Sequence, residues 1–157
     1  MGVAHIVALL CGLAAWTLGE YALHRWGFHH ARTDPLTSLV AREHRIHHRE
    51  PLRTSRGLRF MAWLAVGASA APLLLINGTA WALWIGWWLG YTVYDRIHWR
   101  AHHRSSPNRY ESWVRAGHHQ HHYGAPRLNY GVTSAIWDHV FGTRVPRSTR
   151  LSDSSPT

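Results

Sequence analysis

Cysteine is almost missing from this chain: Cys11 stands alone, inside an apolar run. No disulfide, zinc finger or iron–sulfur site can therefore be built from cysteine. Acidic residues are scarce as well, 8 against 17 basic ones, and lysine is absent, so every basic residue is an arginine and the formal net charge is +9. Such an excess points to nucleic acid or to a membrane surface. The arginines are spread over two segments that border strongly apolar stretches, with no recognition motif for nucleic acid, which favours the membrane. A length of 157 residues gives one domain and leaves no room for a second catalytic or redox domain. No basic segment precedes the first apolar run, which argues against a cleaved signal peptide. Ile6 stands where a myristoylation motif starting at Gly2 needs Ser or Thr.

Histidine, by contrast, is abundant, with 15 residues, and it is clustered. The stretch from His118 to Thr143 opens with four histidines in five residues. His118, His121 and His122 stand at i, i+3 and i+4 and share one face of a helix. The same spacing recurs at His44, His47 and His48, while His98 and His102 stand at i, i+4 and His24 and His29 at i, i+5. A low-complexity metal tract would run its histidines together. Here apolar segments separate four clusters of helical spacing, which is the arrangement of a multi-histidine metal site.

Hydropathy gives an all-α integral membrane protein with a cytoplasmic, histidine-rich helical cap, all within one domain over 1–157. Residues 1–23 hold a transmembrane helix, Val3 to Leu23, close to the roughly 20 apolar residues that span a bilayer. Residues 24–59 form a polar loop with eight of the arginines. Within it Gly27 is expected to bend the chain so that His24 and His29 meet, Asp34 and Pro35 mark a turn, and a helix runs from about Leu36 to His48 until Pro51 ends it. Residues 60–94 form a transmembrane hairpin, Phe60 to Ile76 and Thr79 to Tyr94, turning at Asn77-Gly78; at 16 or 17 residues each arm is near the lower limit for spanning, so the arms either cross fully or dip in and return, with both ends on one side. Trp81, Trp84, Trp87 and Trp88 suit the headgroup level. The hairpin returns the chain to its starting side, so the four clusters can meet, and the arginines assign that side to the cytoplasm.

Residues 95–143 form the cap. The last apolar helix is expected to continue through Asp95, His98 and His102. Ser106-Pro107 is expected to open the next helix, on which Trp113, Val114, Gly117, His118 and His121 share the inward face. Thr133 or Ser134 caps a short helix with an apolar stripe of Trp137, Val140 and Phe141, ended by Gly142. Residues 144–157 read as a flexible tail. Imidazole suits iron, zinc, copper and nickel alike, and ten neutral nitrogens are too many for one ion and suit two. Glu20, Glu43 and Asp95 each stand one helical turn before a histidine of the scheme and are candidates to orient an imidazole, Asp95 most clearly.

The segments HRWGFH, HRIHH, YDRIHWRAHH and HHQHH, followed by NYGVTSAIWDHVFGT, resemble the fatty acid hydroxylase and sterol desaturase superfamily of membrane di-iron enzymes. The resemblance covers His24 to Thr143, and its last segments are most similar to the fatty acid 2-hydroxylases. It implies that His24, His29, His44, His47, His48, His98, His102, His118, His121 and His122 are metal ligands. By the same resemblance His5, His30, His103, His119 and His139 lie outside the ligand set. It implies two iron ions, replaceable by zinc, and O2-dependent hydroxylation of a lipid or fatty acyl chain. Many 2-hydroxylases carry a fused cytochrome domain that has no counterpart here, so a separate ferredoxin or cytochrome-type electron donor is expected.

Two other functions compete with lipid hydroxylation. One is a sibling activity of the superfamily, such as sterol desaturation, C-methyl oxidation or carotenoid hydroxylation. The other is non-enzymatic metal handling, but a transporter places its ligands near the bilayer midplane, and here only His5 lies within an apolar span. An acyl chain anchored in the bilayer would present its carboxyl-proximal carbons to metals at the headgroup level, with its methyl end about 15 Å or more away in a core about 30 Å thick. Arg25 and Arg59, near that edge, are candidates to hold a carboxylate or phosphate.

Overall fold

The computed structural model describes residues 2–29, 35–53, 55–76 and 78–145, and among them there is no β-strand. Helix α1, Val3–Ala22, runs without interruption into a π-helical turn, Leu23–Phe28. Helix α2 is Pro35–Arg49, and α3 is Arg56–Ser69, followed by a 3-10 turn at Ala71–Leu75. Helix α4, Ala80–His103, is the longest at 24 residues, and α5 is Arg109–Tyr123. A single turn, α6, Ile136–Val140, lies in the otherwise irregular segment that follows.

Helices α1 and α4 form the spine, and small residues let them approach backbone to backbone. A Cβ on Gly12 would lie 2.1 Å from the Leu83 carbonyl oxygen, and one on Gly86 would lie 2.1 Å from that of Leu9. Farther along the same seam Trp16 packs on Gly90 and Trp87 on Gly19. This alternation of small and large residues is how helices associate where surrounding lipid removes any hydrophobic gain. Val3–Phe28 and Arg56–Leu75 are the two stretches, among the described residues, long and apolar enough to cross a membrane. Their outer faces are exposed at Ile6, Val7 and Leu10 and at Phe60, Met61 and Leu64.

The tryptophans of α4 pack against neighbouring helices. Trp84 donates its indole N–H to the Gly67 carbonyl at 2.7 Å, and Trp88 donates to that of Trp63 at 2.9 Å. Trp81 lies against His5, with ring centroids 5.4 Å apart. A buried indole needs a partner for its N–H, and the α3 backbone supplies two. Periodicity locates indoles on a face but does not say whether that face meets lipid or another helix. Asn77 and Asp34, assigned to turns, lie outside the described residues, as do most of the tail residues, 146–157.

Three helix starts differ from expectation, among them that of α6, which is entered from Ala135 without a side-chain cap where Thr133 or Ser134 was expected. Helix α3 starts four residues before the apolar run, because Ser55 caps it by accepting the Leu58 N–H at 3.2 Å. Helix α5 opens at Asn108, not at Ser106-Pro107: Asn108 Oδ1 accepts the Glu111 N–H at 2.9 Å. An asparagine whose side chain meets the N3 amide satisfies an orphan donor, whereas Ser106-Pro107 only leads the extended chain in. Helix α4 does continue through His98 and His102, as its unbroken pattern implies.

Candidate metal centre

Ten imidazoles converge beyond the ends of α1 and α4 in two sets, each with its ligand atoms within 4.8 Å of one another. The first set is His24, His29, His44, His48 and His121; the second is His47, His98, His102, His118 and His122. Helix α2 serves both, His44 and His48 facing one way and His47 the other. Helix α5 does the same with His121 on one side and His118 and His122 on the other. All ten histidines of the four sequence clusters are thus brought together, though each cluster's i, i+3, i+4 triplet is divided between the sets.

His24 and His29 meet by a different device from a bend at Gly27. On an α-helix, at about 100° per residue, positions five apart point about 140° away from each other. The backbone instead widens into a π-helical turn over Leu23–Phe28. The i to i+5 spacing of a π-turn stacks such residues, and single π-turns concentrate at functional sites. The two rings lie with centroids 5.2 Å apart.

In the first set four Nε2 atoms form a closed ring. His29 to His44 is 2.9 Å, His44 to His48 3.0 Å, His48 to His121 3.2 Å and His121 to His29 3.1 Å. The fifth member, His24, keeps a buried Nε2 with no hydrogen-bond partner. Its Nδ1–H donates to the Tyr130 carbonyl at 2.5 Å, and the His121 Nδ1–H donates to that of Leu128 at 2.7 Å. Their Nε2 atoms are therefore lone-pair acceptors, the tautomer a metal requires. Two nitrogens about 2.1 Å from one ion and at right angles lie about 3.0 Å apart, which matches the spacing around the ring. These residues fit a cation.

The second set has two close pairs, His47 to His98 at 3.0 Å and His102 to His118 at 2.8 Å between Nε2 atoms. Both ring nitrogens of His122 are buried without a partner, as is Nδ1 of His118. Burial first, and then neighbouring imidazoles, pushes His47 down to about 4 and His102 and His121 down to about 3. His44, His98, His118 and His122 are lowered by the same causes. At neutral pH these rings are uncharged and their lone pairs are available to metal.

The acids stand elsewhere than sequence spacing implies. Asp95 gives both carboxylate oxygens to the Arg59 guanidinium, one at 2.9 Å, rather than to an imidazole. The pair also removes Arg59 as a free anion-holding cation. Arg25 donates to the Tyr21 hydroxyl at 2.8 Å and lies over aromatic rings. Glu20 is buried, and it accepts the Val132 N–H at 2.5 Å, the Thr133 N–H at 2.8 Å and the Thr133 hydroxyl at 2.5 Å. It acts not on His24 itself but on the loop whose Tyr130 carbonyl accepts from that imidazole. Glu43 lines a cavity beside the second set.

Residues 128–133 and Asp138 carry a role that sequence reading missed. Asp138, fully buried, accepts the Tyr130 N–H at 2.8 Å, the Gly131 N–H at 2.9 Å and the Thr143 hydroxyl at 2.8 Å. Asn129 holds the turn in the left-handed region, with φ 55°, and its Oδ1 accepts the Val145 N–H at 3.1 Å. Of the expected stripe on α6, Val140 and Phe141 are exposed, while Trp137 is half-buried and donates its indole N–H to the Thr17 hydroxyl at 2.9 Å; the fully buried residue of the helix is this acid. On α5, Val114, His118 and His121 do face inward, but Trp113 is half-exposed under Arg144. An acid in an apolar stripe was the available signal.

A cavity of about 220 Å³ lies beside the second set, lined by His47, His98, His102, Leu58, Trp99 and the Arg59 and Asp95 pair among others. His103 donates Nδ1–H to the Trp99 carbonyl at 2.9 Å and His119 donates Nε2–H to that of Ala101 at 3.1 Å. With His5 and the exposed His139 they fall outside both sets. His30 lies outside the described residues.

The chain is similar to known proteins. The ceramide very long chain fatty acid hydroxylase scs7 of Schizosaccharomyces pombe is 36% identical over 150 residues, covering 90% of this chain and 43% of that protein. A dihydroceramide fatty acyl 2-hydroxylase of Arabidopsis thaliana is 32% identical, covering 86% and 59%. The chain thus spans about half the length of the curated relatives it matches. A solved structure of full-length scs7p, in which only the hydroxylase domain is visible, superposes with TM-score 0.71 at 28% identity, covering 94% of this chain and 60% of that one. The sequence profile described as fatty acid hydroxylase matches residues 9–143, which contain all ten converging histidines, and the chain therefore belongs to the fatty acid hydroxylase family.

Proposed function

We propose that this protein is a membrane-bound, O2-dependent hydroxylase of a fatty acyl chain, free or within a lipid, acting near the carboxyl end. The observation that carries the reading is the convergence of ten buried or half-buried imidazoles in two five-membered sets. The ten histidines hold two iron ions, with zinc able to substitute, and electrons come from a separate ferredoxin or cytochrome-type protein. Bound iron would supply the activation of O2 and the oxidation of the C–H bond. The chain's own residues do the rest. Burial keeps the imidazoles neutral, the Tyr130 and Leu128 carbonyls orient His24 and His121, and Leu58, Trp99 and Ile46 give the cavity an apolar wall. The activities for which the relatives are named, ceramide fatty acid hydroxylation and fatty acyl 2-hydroxylation, support the position of attack.

The apolar faces of α1 and α3 support a multi-pass placement, and the arginine bias supports a cytoplasmic active face. Reporter fusions at Ser55 and Ser154 should then report the same, cytoplasmic side. Expression in a host lacking hydroxylated lipids, followed by mass spectrometry of total fatty acids, tests the activity. A 2-hydroxy acyl product that vanishes in His118→Ala is expected. Hydroxylation only at the methyl end, or an oxidised sterol or carotenoid, would overturn the assignment.

A further inference from the structure

The two histidine sets have the same number of ligands but not the same surroundings. In the first, a ring of four Nε2 contacts cannot be satisfied by protons, because each nitrogen either carries one hydrogen or offers one lone pair. At most two of the four contacts can be N–H···N bonds, and the His121 Nε2 is already committed as an acceptor by its Nδ1–H bond to Leu128. The remaining contacts have no hydrogen directed along them. In the second set the contacts form two separate pairs, each of which one proton satisfies.

Support from outside differs in the same sense. Four consecutive amides, Tyr130 to Thr133, all donate to two buried carboxylates, Asp138 and Glu20. This double anchor holds the loop whose carbonyls accept from His24 and His121. Orientation of a ligand by such outer partners typically changes metal affinity by about 10 to 100-fold. The second set has no comparable anchor: the buried Nδ1 atoms of His118 and His122 meet no acceptor. It is also the set that opens on a cavity, through His47, His98 and His102.

Resting on the proposed metal centre, we infer that the two sites are inequivalent. The first is a tight site preorganised by Glu20 and Asp138, acting as positioning residues through residues 128–133. The second is a weaker, exchangeable site that faces the substrate cavity. A cation is needed to relieve the ring of the first set, whereas in the second set four of the five Nε2 atoms can hydrogen-bond in pairs and only the His122 Nε2 is left without a partner, so the second set surrenders its ion at smaller cost.

The test is titration of the chelator-stripped, detergent-solubilised full chain with Co(II), followed by ligand-field absorption and by competition with a chromophoric chelator. Two ions should bind in two classes at least tenfold apart in affinity, and mild chelation should leave one ion per chain. Asp138→Asn and Glu20→Gln should weaken only the tight class, by about 10 to 100-fold, while His122→Ala should remove only the weak one. Should either acid variant fail to fold, Thr133→Val removes a single bond to Glu20 and should shift the tight class in the same direction. Two ions of one affinity, or equal weakening of both classes in the acid variants, would overturn the inference alone. Failure to bind any ion would sink the metal centre along with it.

Discussion

Between α1 and α4 the chain sets backbone against backbone through Gly12 and Gly86, whereas between residues 128 and 145 it sets buried carboxylates against amides. The first contact is made chiefly by shape, glycine against backbone and ring against ring. The second buries Tyr130, Val132, Ala135 and Val145 as well, but α6 is only one turn long and exposes Ile136 and Val140. Directional bonds supplement packing there, and a misplacement is penalised by stranded donors as well as by overlap. The comparison teaches where precision comes from. Packed helices set the distance between the ends of α1 and α4, and polar bonds then aim individual imidazoles across it.

The largest effect should come from breaking the apolar side. Gly86→Leu places a side chain where even a Cβ would stand 2.1 Å from a backbone oxygen, so the spine must part. Its cost should exceed the about 1–3 kcal/mol typical of overpacked cores, and little folded protein should survive size-exclusion chromatography in detergent. On the polar side, Asp138→Ala strands the Tyr130 and Gly131 amides and the Thr143 hydroxyl. Each buried orphan costs about 1–3 kcal/mol, so thermal unfolding should show a loss of about 3 kcal/mol or more.

Acidification sharpens the contrast, because the buried imidazoles titrate. The folded-state values of His47, about 4, and of His102 and His121, about 3, lie below the value of about 6.5 for an unfolded histidine. The unfolded chain therefore binds protons first. Stability of the metal-free protein should be complete above pH about 6.5 and be lost progressively as pH falls toward 3 to 4. Chemical denaturation with chelator present, followed by near-ultraviolet circular dichroism across that range, measures it. A flat profile would contradict neutral burial of these rings. The smallest effect belongs to Asn108→Ala, which removes one exposed cap on α5 and should cost about 1 kcal/mol without altering metal content.

Legibility followed the same division. Helices α1, α2 and α4 were readable because apolar runs and i, i+4 histidines are local patterns, and the ten histidines of those patterns are the ten that converge. The pairing of His24 with His29 was expected, but its cause was not: a π-turn adds a residue within a helix, and no side chain announces it. Asp95 stood one turn before His98, yet it turned to Arg59, which lies 36 residues away in sequence.

The sequence by itself determined an all-helical chain, the identity of the converging histidines and the family to which they belong, because each depends on spacing along one helix. Only the tertiary structure decided how the ten divide into two sets, and that Glu20 and Asp138 reach the first set through the 128–133 loop. Those outcomes depend on which faces of α2 and α5 meet which neighbours, and on bonds spanning 112 and 113 residues such as those from Val132 and Thr133 to Glu20. A buried carboxylate takes whichever amides the packed helices bring within reach, and that choice exists only once the helices are in place.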